Sequence, residues 1–350
     1  MTDAFDRAGR FLTGFLRLFP AEPAHDIGML AMEKGLLNLL PAPKTAHVTL
    51  PLQVNLPGIG LLRHPIGLAA GFDKNGRCPD AFEQMGMAFI ELGTVTPRPQ
   101  PGNPKPRLFR YPETQSIINR MGFNSDGAEI VLRRLQALRW TSARVPLGIN
   151  VGKNKNTPLD HAIDDFVSGV IAFEKYAKWL TINISSPNTP GLRDLATPKF
   201  IRDLAYAAGE HRLKCWIKLD PDMDRKTLQE LIENIRTHEF QGVILSNTHR
   251  VEWPETGGQS GHPLLSPSNT ILEWAWDVTK GALPIIASGG VLSGIDAFHK
   301  LARGASAVQI YTALVYRGPG VVFRICEELG AELKLRGFTS AEEAIGSHYS

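Results

Sequence analysis

The chain has 350 residues, 43% of them hydrophobic and 21% charged, which is enough for a large buried core and too apolar for a disordered protein. Its formal charge is only +3, from 38 basic and 35 acidic residues, without a dense Lys/Arg run, so no electrostatic footprint for nucleic acid exists. Cys78, Cys215 and Cys326 lie far apart with no CxxC pair; this argues against a disulfide framework, an iron–sulfur centre or a Cys-rich zinc site and fits a reducing compartment. HExxH and GxxxxGK[ST] are both missing, and no residue is assigned to a metal.

In chain order, the N-terminus comes first. Phe5, Ala8, Leu12, Phe15, Leu16 and Phe19 recur at helical spacing, and after Pro20 and Pro23 a second segment from Asp26 to Leu40 carries Ile27, Leu30, Leu36, Leu37 and Leu40 before Pro41 ends it. Two short amphipathic helices are expected there. Asp3, Asp6 and Arg17 interrupt any cleaved-signal pattern, and no run of about 18 apolar residues exists to span a bilayer. Such helices most often pack on their own domain; the alternative is a small lobe lying in a membrane interface.

From about residue 65, short apolar or β-branched runs alternate with helical periodicity. Strands are expected at 66–71, 89–96, 146–151, 179–185, 215–219, 242–247, 284–288 and 307–311. Helices are expected near 78–86, 125–139, 160–177, 197–212, 224–237, 267–279, 293–302 and 318–335. Eight βα units predict an α/β fold, a (β/α)8 TIM barrel with a small N-terminal amphipathic helical extension. An open doubly wound sheet would carry a GxGxxG turn after its first strand, whereas this chain has GFDKNG. Two connections, 97–124 and 248–266, are long enough to be lids or walls at the working face.

The strand tips present Lys74, Thr94, Thr96, Asn150, Asn183, Ser185, Ser186, Asn188, Lys218, Ser246, Asn247, Thr248, Ser288-Gly289-Gly290 and Tyr311-Thr312. Each polar residue alone could be a turn former or helix cap. A whole mouth of amides and hydroxyls with two lysines suits a flat heterocycle with amide-like edges better than a metal or a sugar. Gly289-Gly290 and Tyr311-Thr312 sit where barrels often bind phosphate. Lys218 would favour negative charge developing on a flavin ring; alternatively it pairs with Asp220 or Asp222.

The segments GLAAGFDKNG (67–76), ELGTVTPRPQPGNPKPRLFR (91–110), INRMGFNSDG (118–127), INVGKNK (149–155), NISSPNTPGLR (183–193), PIIASGGV and AVQIYTAL resemble the membrane-associated, quinone-dependent class of dihydroorotate dehydrogenase, from about residue 45 onward. The resemblance implies a flavin mononucleotide (FMN) barrel that oxidises dihydroorotate to orotate in pyrimidine synthesis. It implies FMN contacts at Ala70, Gly71, Phe72, Asp73, Lys74, Thr94, Asn150, Asn183, Lys218, Ser246, Gly261, Gly290, Tyr311 and Thr312. It implies substrate contacts at Lys74, Asn119, Arg120, Met121, Gly122, Phe123, Asn183, Asn188, Asn247 and Thr248, and Ser186 as the catalytic base, where cytosolic relatives use cysteine. Residues 1–41 would then form the membrane-facing entrance to a quinone tunnel, with Arg110 and Tyr311 near its inner end, and residues 42–350 the catalytic barrel. The protein would be peripheral, on the cytoplasmic face of the inner membrane if bacterial. Asp220 within KLDPD, Ser246 within SNTHR, and Gln259 and His262 within GGQSGHPL depart from the family's pattern. Two other readings compete: a barrel lyase using Lys218 as a Schiff base, and a non-catalytic membrane scaffold.

Overall fold

Eight short apolar runs form the staves of a closed, all-parallel barrel in the computed structural model, which describes residues 4–40, 51–138, 140 and 144–349. The strands are Ile66–Leu68, Ile90–Val95, Leu147–Val151, Trp179–Asn183, Cys215–Leu219, Gly242–Leu245, Ile285–Ser288 and Ala307–Ile310. Each pairs with its neighbours in sequence, and the eighth closes on the first through Val308↔Ile66. The eight-unit barrel expected from the sequence is therefore the observed fold. Several strands end sooner than their apolar runs suggest. The first stops at Leu68 because Ala69 to Gly71 turn into the mouth, with Gly71 at φ +104, a conformation only glycine adopts cheaply.

The floor of the barrel is filled by large rings. Phe89, Trp179 and Trp216 are fully buried, and the Phe89 and Trp179 rings meet edge-to-face at 5.9 Å. Their bulk needs a glycine opposite: a Cβ on Gly148 would stand 2.0 Å from the Trp179 indole. The apolar floor leaves polar side chains to the upper layers, so the site is pushed to the strand C-termini.

The helices start where capping residues allow. Thr197 accepts from the Phe200 N–H, Asp224 from that of Thr227, and Ser293 forms a reciprocal capping box with Asp296. A short helix, Thr312–Arg317, follows the last strand and was not expected from the pattern. Gly60–Leu62 pairs with Val54–Leu56 as a hairpin ahead of the barrel.

The two long connections act together. Segments Leu108–Tyr111 and Ser116–Asn119 from the second connection join His249–Val251 and Gly257–Gly261 from the sixth in one four-stranded sheet. The pairing Gly258↔Asn119 sews the loops into a single cover.

The N-terminal segment forms helices Ala4–Leu16 and Ala21–Glu33 and a 3₁₀ turn Leu36–Leu39. The second helix begins before Pro23 rather than after it. Pro23 sits in the first turn, where no intrahelical acceptor waits for its missing N–H. Pro41 and the expected boundary between residues 41 and 42 lie outside the described residues. No helix is long and apolar enough to cross a membrane among the described residues.

Two acidic residues dock this segment. Asp6 pairs with Arg324 of the last helix. Glu22, buried, accepts from Arg107 at 2.9 and 3.1 Å and pairs with Lys105 at 3.2 Å. Arg107 also donates to the carbonyls of Pro101 and Asn103, at 2.6 and 2.9 Å. Burial alone would raise the Glu22 carboxyl, but the hydrogen bonds and charges of Arg107 and Lys105 outweigh it and hold the group below its ordinary 4.5. Its contribution is thus complete above that ordinary value and fades as pH falls through the lowered one. Glu22→Ala should cost about 3–5 kcal/mol in docking, as expected for a buried guanidinium left without its partner. Amide hydrogen exchange should show protection lost across 21–33 with the barrel strands unchanged; retained protection at 21–33 would refute this role.

Candidate active site

A single buried carboxylate organises the mouth. Glu91, on the second strand and fully buried, accepts from Asn150 Nδ2 at 2.7 Å and from the Gln309 amide. With its NH2 spent on Glu91, Asn150 turns its carbonyl oxygen outward, where Thr94 Oγ1 donates at 2.6 Å and Asn183 Nδ2 at 3.0 Å. Asn183 then presents its own oxygen to Ser185 Oγ at 2.9 Å and to Asn247 Nδ2 at 3.4 Å. A carboxylate without a proton can only accept, so the amide orientation of three asparagines follows in sequence from one group.

Local backbone geometry supports this chain. The register of the second strand shifts between Leu92 and Val95, and Gly93 there, at φ +104, lies where a Cβ would meet the Asn150 carbonyl at 2.4 Å. The irregularity brings Thr94 onto Asn150.

Above this layer opens a cavity of about 1060 Å³. Of the residues expected to contact cofactor or substrate, Ala70, Gly71, Lys74, Thr94, Asn183, Lys218, Ser246, Gly261, Gly290, Tyr311 and Thr312 line it, as do Asn119, Met121, Gly122, Phe123, Asn188, Asn247 and Thr248. Ser186 lines it too, 6% exposed. Four expected residues do not. Asn150 lies one layer below, holding Thr94 and Asn183. Asp73 is fully buried and accepts from the backbone N–H groups of Asn75, Arg77 and Cys78, bracing the first loop. Arg120 turns outward to Glu255 at 2.7 Å and stacks over Phe109. Phe72 faces a second cavity.

Electrostatically the polar cavity is cationic. Lys218, 5% exposed, makes no hydrogen bond among the described residues. The alternative pairing with Asp220 or Asp222 is not formed: both carboxylates go to Arg193, at 3.5 and 2.7 Å. Burial lowers the Lys218 ammonium, and Glu91 pulls it back upward. Lys74 is lowered to about 8, first by burial and then by Arg107, against Glu22, Asp26 and Asp73. Asp220, buried, is raised by burial and pulled down by Arg193.

The 185–193 loop that carries Ser186 is held by the same arginine. Arg193 donates to the Ser185 carbonyl at 3.1 Å and to the Thr248 carbonyl at 3.0 Å. Asn188 donates its backbone N–H to Ser186 Oγ at 3.2 Å and its side-chain amide to Asn119 Oδ1 at 3.2 Å. Ser186 Oγ donates to no acceptor among the described residues, so its O–H is free to face the cavity.

The second cavity, about 1700 Å³, is walled mainly by the apolar faces of the N-terminal helices. Leu12, Leu16, Ile27, Met29 and Met32 contribute, together with His25 and Arg110. Burial lowers His25 to about 3, with Lys74 adding to the effect, so the imidazole is neutral near pH 7. Leu108, Ile117 and Tyr311 line both cavities. Phe72 packs against Tyr311 and His25, each with ring centroids 5.2 Å apart. Glu91, Gln309 and His25 are not singled out by the sequence reading; a lone carboxylate in the mainly apolar strand run FIELGTV is the available signal for the first.

Comparison with known proteins places this arrangement. The family model described as dihydroorotate dehydrogenase matches residues 51–333. The dihydroorotate dehydrogenase (quinone) of Methylobacillus flagellatus is 42% identical over 332 residues, covering 89% of this chain and 96% of the relative. The mitochondrial dihydroorotate dehydrogenase (quinone) of Mus musculus is 40% identical over 353 residues, covering 94% and 87%. The ligand-free crystal structure from Eimeria tenella superposes with a TM-score of 0.87 at 37% identity, covering 94% of this chain and 99% of that one. With two abutting cavities in one barrel, and with these relatives along nearly its full length, the chain belongs to the quinone-dependent dihydroorotate dehydrogenase family.

Proposed function

We propose that the polar cavity binds dihydroorotate beside a flavin mononucleotide, and that the apolar cavity admits the quinone that accepts the electrons. The observation that carries this reading is the shared wall: Tyr311, Leu108 and Ile117 bound both spaces. Family membership sets aside the Schiff-base lyase and the scaffold. The activity is oxidation of dihydroorotate to orotate with a quinone as acceptor.

The residues present fit a flavin. Lys218 is a nearly buried cation without a hydrogen-bonding partner among the described residues, which suits a ring that gains negative charge on reduction. Gly71, Thr94, Asn183, Ser246, Gly290 and Thr312 would hold it, with Gly290 facing its phosphate. Bound there, the flavin would supply hydride acceptance and onward electron transfer.

The chain's own groups handle substrate and proton. Lys74 meets the substrate carboxylate as a point charge. Asn119, Asn188 and Asn247 read the cyclic amide edges, since each amide both donates and accepts. Ser186 takes the proton from the ring carbon α to the carbonyl and passes its own hydroxyl proton to a water at the cavity mouth, so that it ends the step as a neutral hydroxyl. The Asn188 N–H donated to its Oγ stabilises negative charge as the hydroxyl proton is displaced, which favours the basic form. The lid sheet covers part of the site and limits its contact with bulk solvent, which strengthens each of these interactions.

The N-terminal helices support peripheral membrane contact. Phe11 and Leu18 are 77% and 80% exposed, and Phe15, Leu36 and Leu39 are also exposed. Such an apolar surface beside an apolar cavity suits entry of a hydrophobic acceptor directly from a lipid interface. Residues 1–41 would thus be the membrane-contacting segment and 42–350 the catalytic barrel, on the cytoplasmic face of the inner membrane in a bacterial cell.

Anaerobic stopped-flow measurement tests the donor side. Ser186→Ala should slow flavin reduction by dihydroorotate by about 10²–10⁴-fold and leave orotate affinity within a few-fold; unchanged reduction would remove Ser186 from the reaction. Dihydroorotate binding should weaken as pH rises above about 8, where Lys74 loses its proton, and Lys74→Met should abolish that pH dependence. A profile identical in the variant would assign the titration elsewhere. For the acceptor side, Gly28→Phe fills the apolar cavity where an added Cβ meets only Leu16, at 3.8 Å. It should raise the quinone KM about tenfold or more while flavin reduction stays unchanged, and an unaltered quinone KM would place the acceptor elsewhere.

A further inference from the structure

Helix Gly294–Ala302 carries a lysine on its buried face. Lys300 is fully buried, and among the described residues its side chain makes one hydrogen bond, to Ser268 Oγ at 2.5 Å. No carboxylate pairs with it among the described residues; Asp296, whose charge acts on it from one turn earlier in the helix, is engaged in the capping box with Ser293. A buried ammonium with a single hydroxyl partner is costly. Burial, and secondarily Arg303, lowers it to about 7.

Ser268 connects this charge to the mouth. Having accepted from Lys300, its hydroxyl has one proton to give, and the carbonyls of Gly289 and Leu265 lie 2.9 and 3.0 Å away. The peptide joining Gly289 to Gly290 is planar, so a carbonyl turned toward Ser268 sends the Gly290 N–H the opposite way, on the side where Gly289, Gly290 and Val291 line the polar cavity. That N–H finds no acceptor among the described residues. The loop is also pressed against helix Leu265–Thr279: with Gly290 at φ +78, a Cβ there would stand 2.3 Å from Leu265 Cα.

We propose that Lys300 is a positioning residue for the phosphate of the bound cofactor: acting through Ser268 and the Gly289 carbonyl, it aims the Gly290 N–H into the cavity, and a phosphate monoester dianion there is its missing counter-charge. The inference rests on the flavin mononucleotide reading. It assigns a role to a side chain that touches neither cofactor nor substrate.

The test compares a flavin that has the phosphate with one that lacks it. Full-length protein, stripped of flavin, is titrated with flavin mononucleotide and with riboflavin, and its melting temperature is recorded without flavin. Lys300→Met should weaken flavin mononucleotide at least tenfold, leave riboflavin within twofold, and not lower the flavin-free melting temperature. Ser268→Ala should show the same selectivity with a smaller loss, and it decides the matter if Lys300→Met fails to fold. Equal weakening of both flavins, or undiminished flavin mononucleotide affinity in the variants, would make Lys300 a packing residue and overturn the proposal. Wild-type protein that binds neither flavin would instead sink the underlying cofactor reading, and the proposal with it.

Discussion

Glu91 is the constraint on which the rest of the mouth depends. An amide side chain can present either its oxygen or its NH2 to a neighbour, and a ring of them has many arrangements of similar energy. One buried acceptor-only group removes that freedom: Asn150 must donate to Glu91, so its oxygen faces Thr94 and Asn183, and Asn183 must then offer its oxygen to Ser185 and Asn247. The polarity propagates from the barrel axis to both substrate-facing loops. Gln309 donates to the other carboxylate oxygen, so both acceptor atoms are engaged. Glu91 is also the negative charge that partly offsets the burial of Lys218. A neutral residue at 91 would leave the amides free to invert and the lysine uncompensated, two faults from a single change.

The same economy holds between barrel and N-terminus. Arg107 belongs to the long second connection, whose strands Leu108–Tyr111 and Ser116–Asn119 supply Leu108 and Ile117 to the wall between the cavities. By gripping Glu22, Arg107 ties the apolar cavity's outer half to the sheet that forms its inner wall. Arg110 adds a second tie from that sheet, donating to the carbonyls of Arg17 and Phe19 between the two helices. The outer face of the N-terminal segment is exposed, and these polar ties act together with the buried Phe5, Ala24 and Met29 to hold its inner face on the barrel.

Much of the barrel is legible in the sequence because its staves are β-branched or apolar runs, separated by helices with clear caps at Thr197, Asp224 and Ser293. The lid sheet is not legible. GGQSG has almost no intrinsic strand preference, and it becomes a strand only because Ile117 and Ile118 lie alongside it once the barrel has brought both loops together. The polar residues of the mouth can be read as a set, yet their depth cannot: Asn150 and Asn183 have the same chemistry, and only the stagger of the strands puts one beneath the other. Asp73, in a loop of site residues, is consumed by three backbone N–H groups of its own loop. Lys300 carries no signal in the sequence, and its burial beside Ser268 is visible only in the folded chain.

The departures from the family's pattern gain meaning from Arg193. Asp220 stands in place of an expected apolar residue at the tip of the fifth strand, close enough in sequence to compete for Lys218, but the Arg193 guanidinium takes it instead, together with Asp222. Asp222 in turn accepts from His249 and from the Arg250 N–H. One arginine thereby links the fifth-strand tip, the Ser185 carbonyl and the Thr248 carbonyl, so the extra acid strengthens the clasp behind Ser186 rather than perturbing the cavity. Lys218 keeps its charge, offset only in part by Glu91, because Asp220 and Asp222 are already engaged by Arg193. An additional buried acid is tolerable beside a cationic site only where a second cation stands nearer to it, and Arg193 meets that condition here.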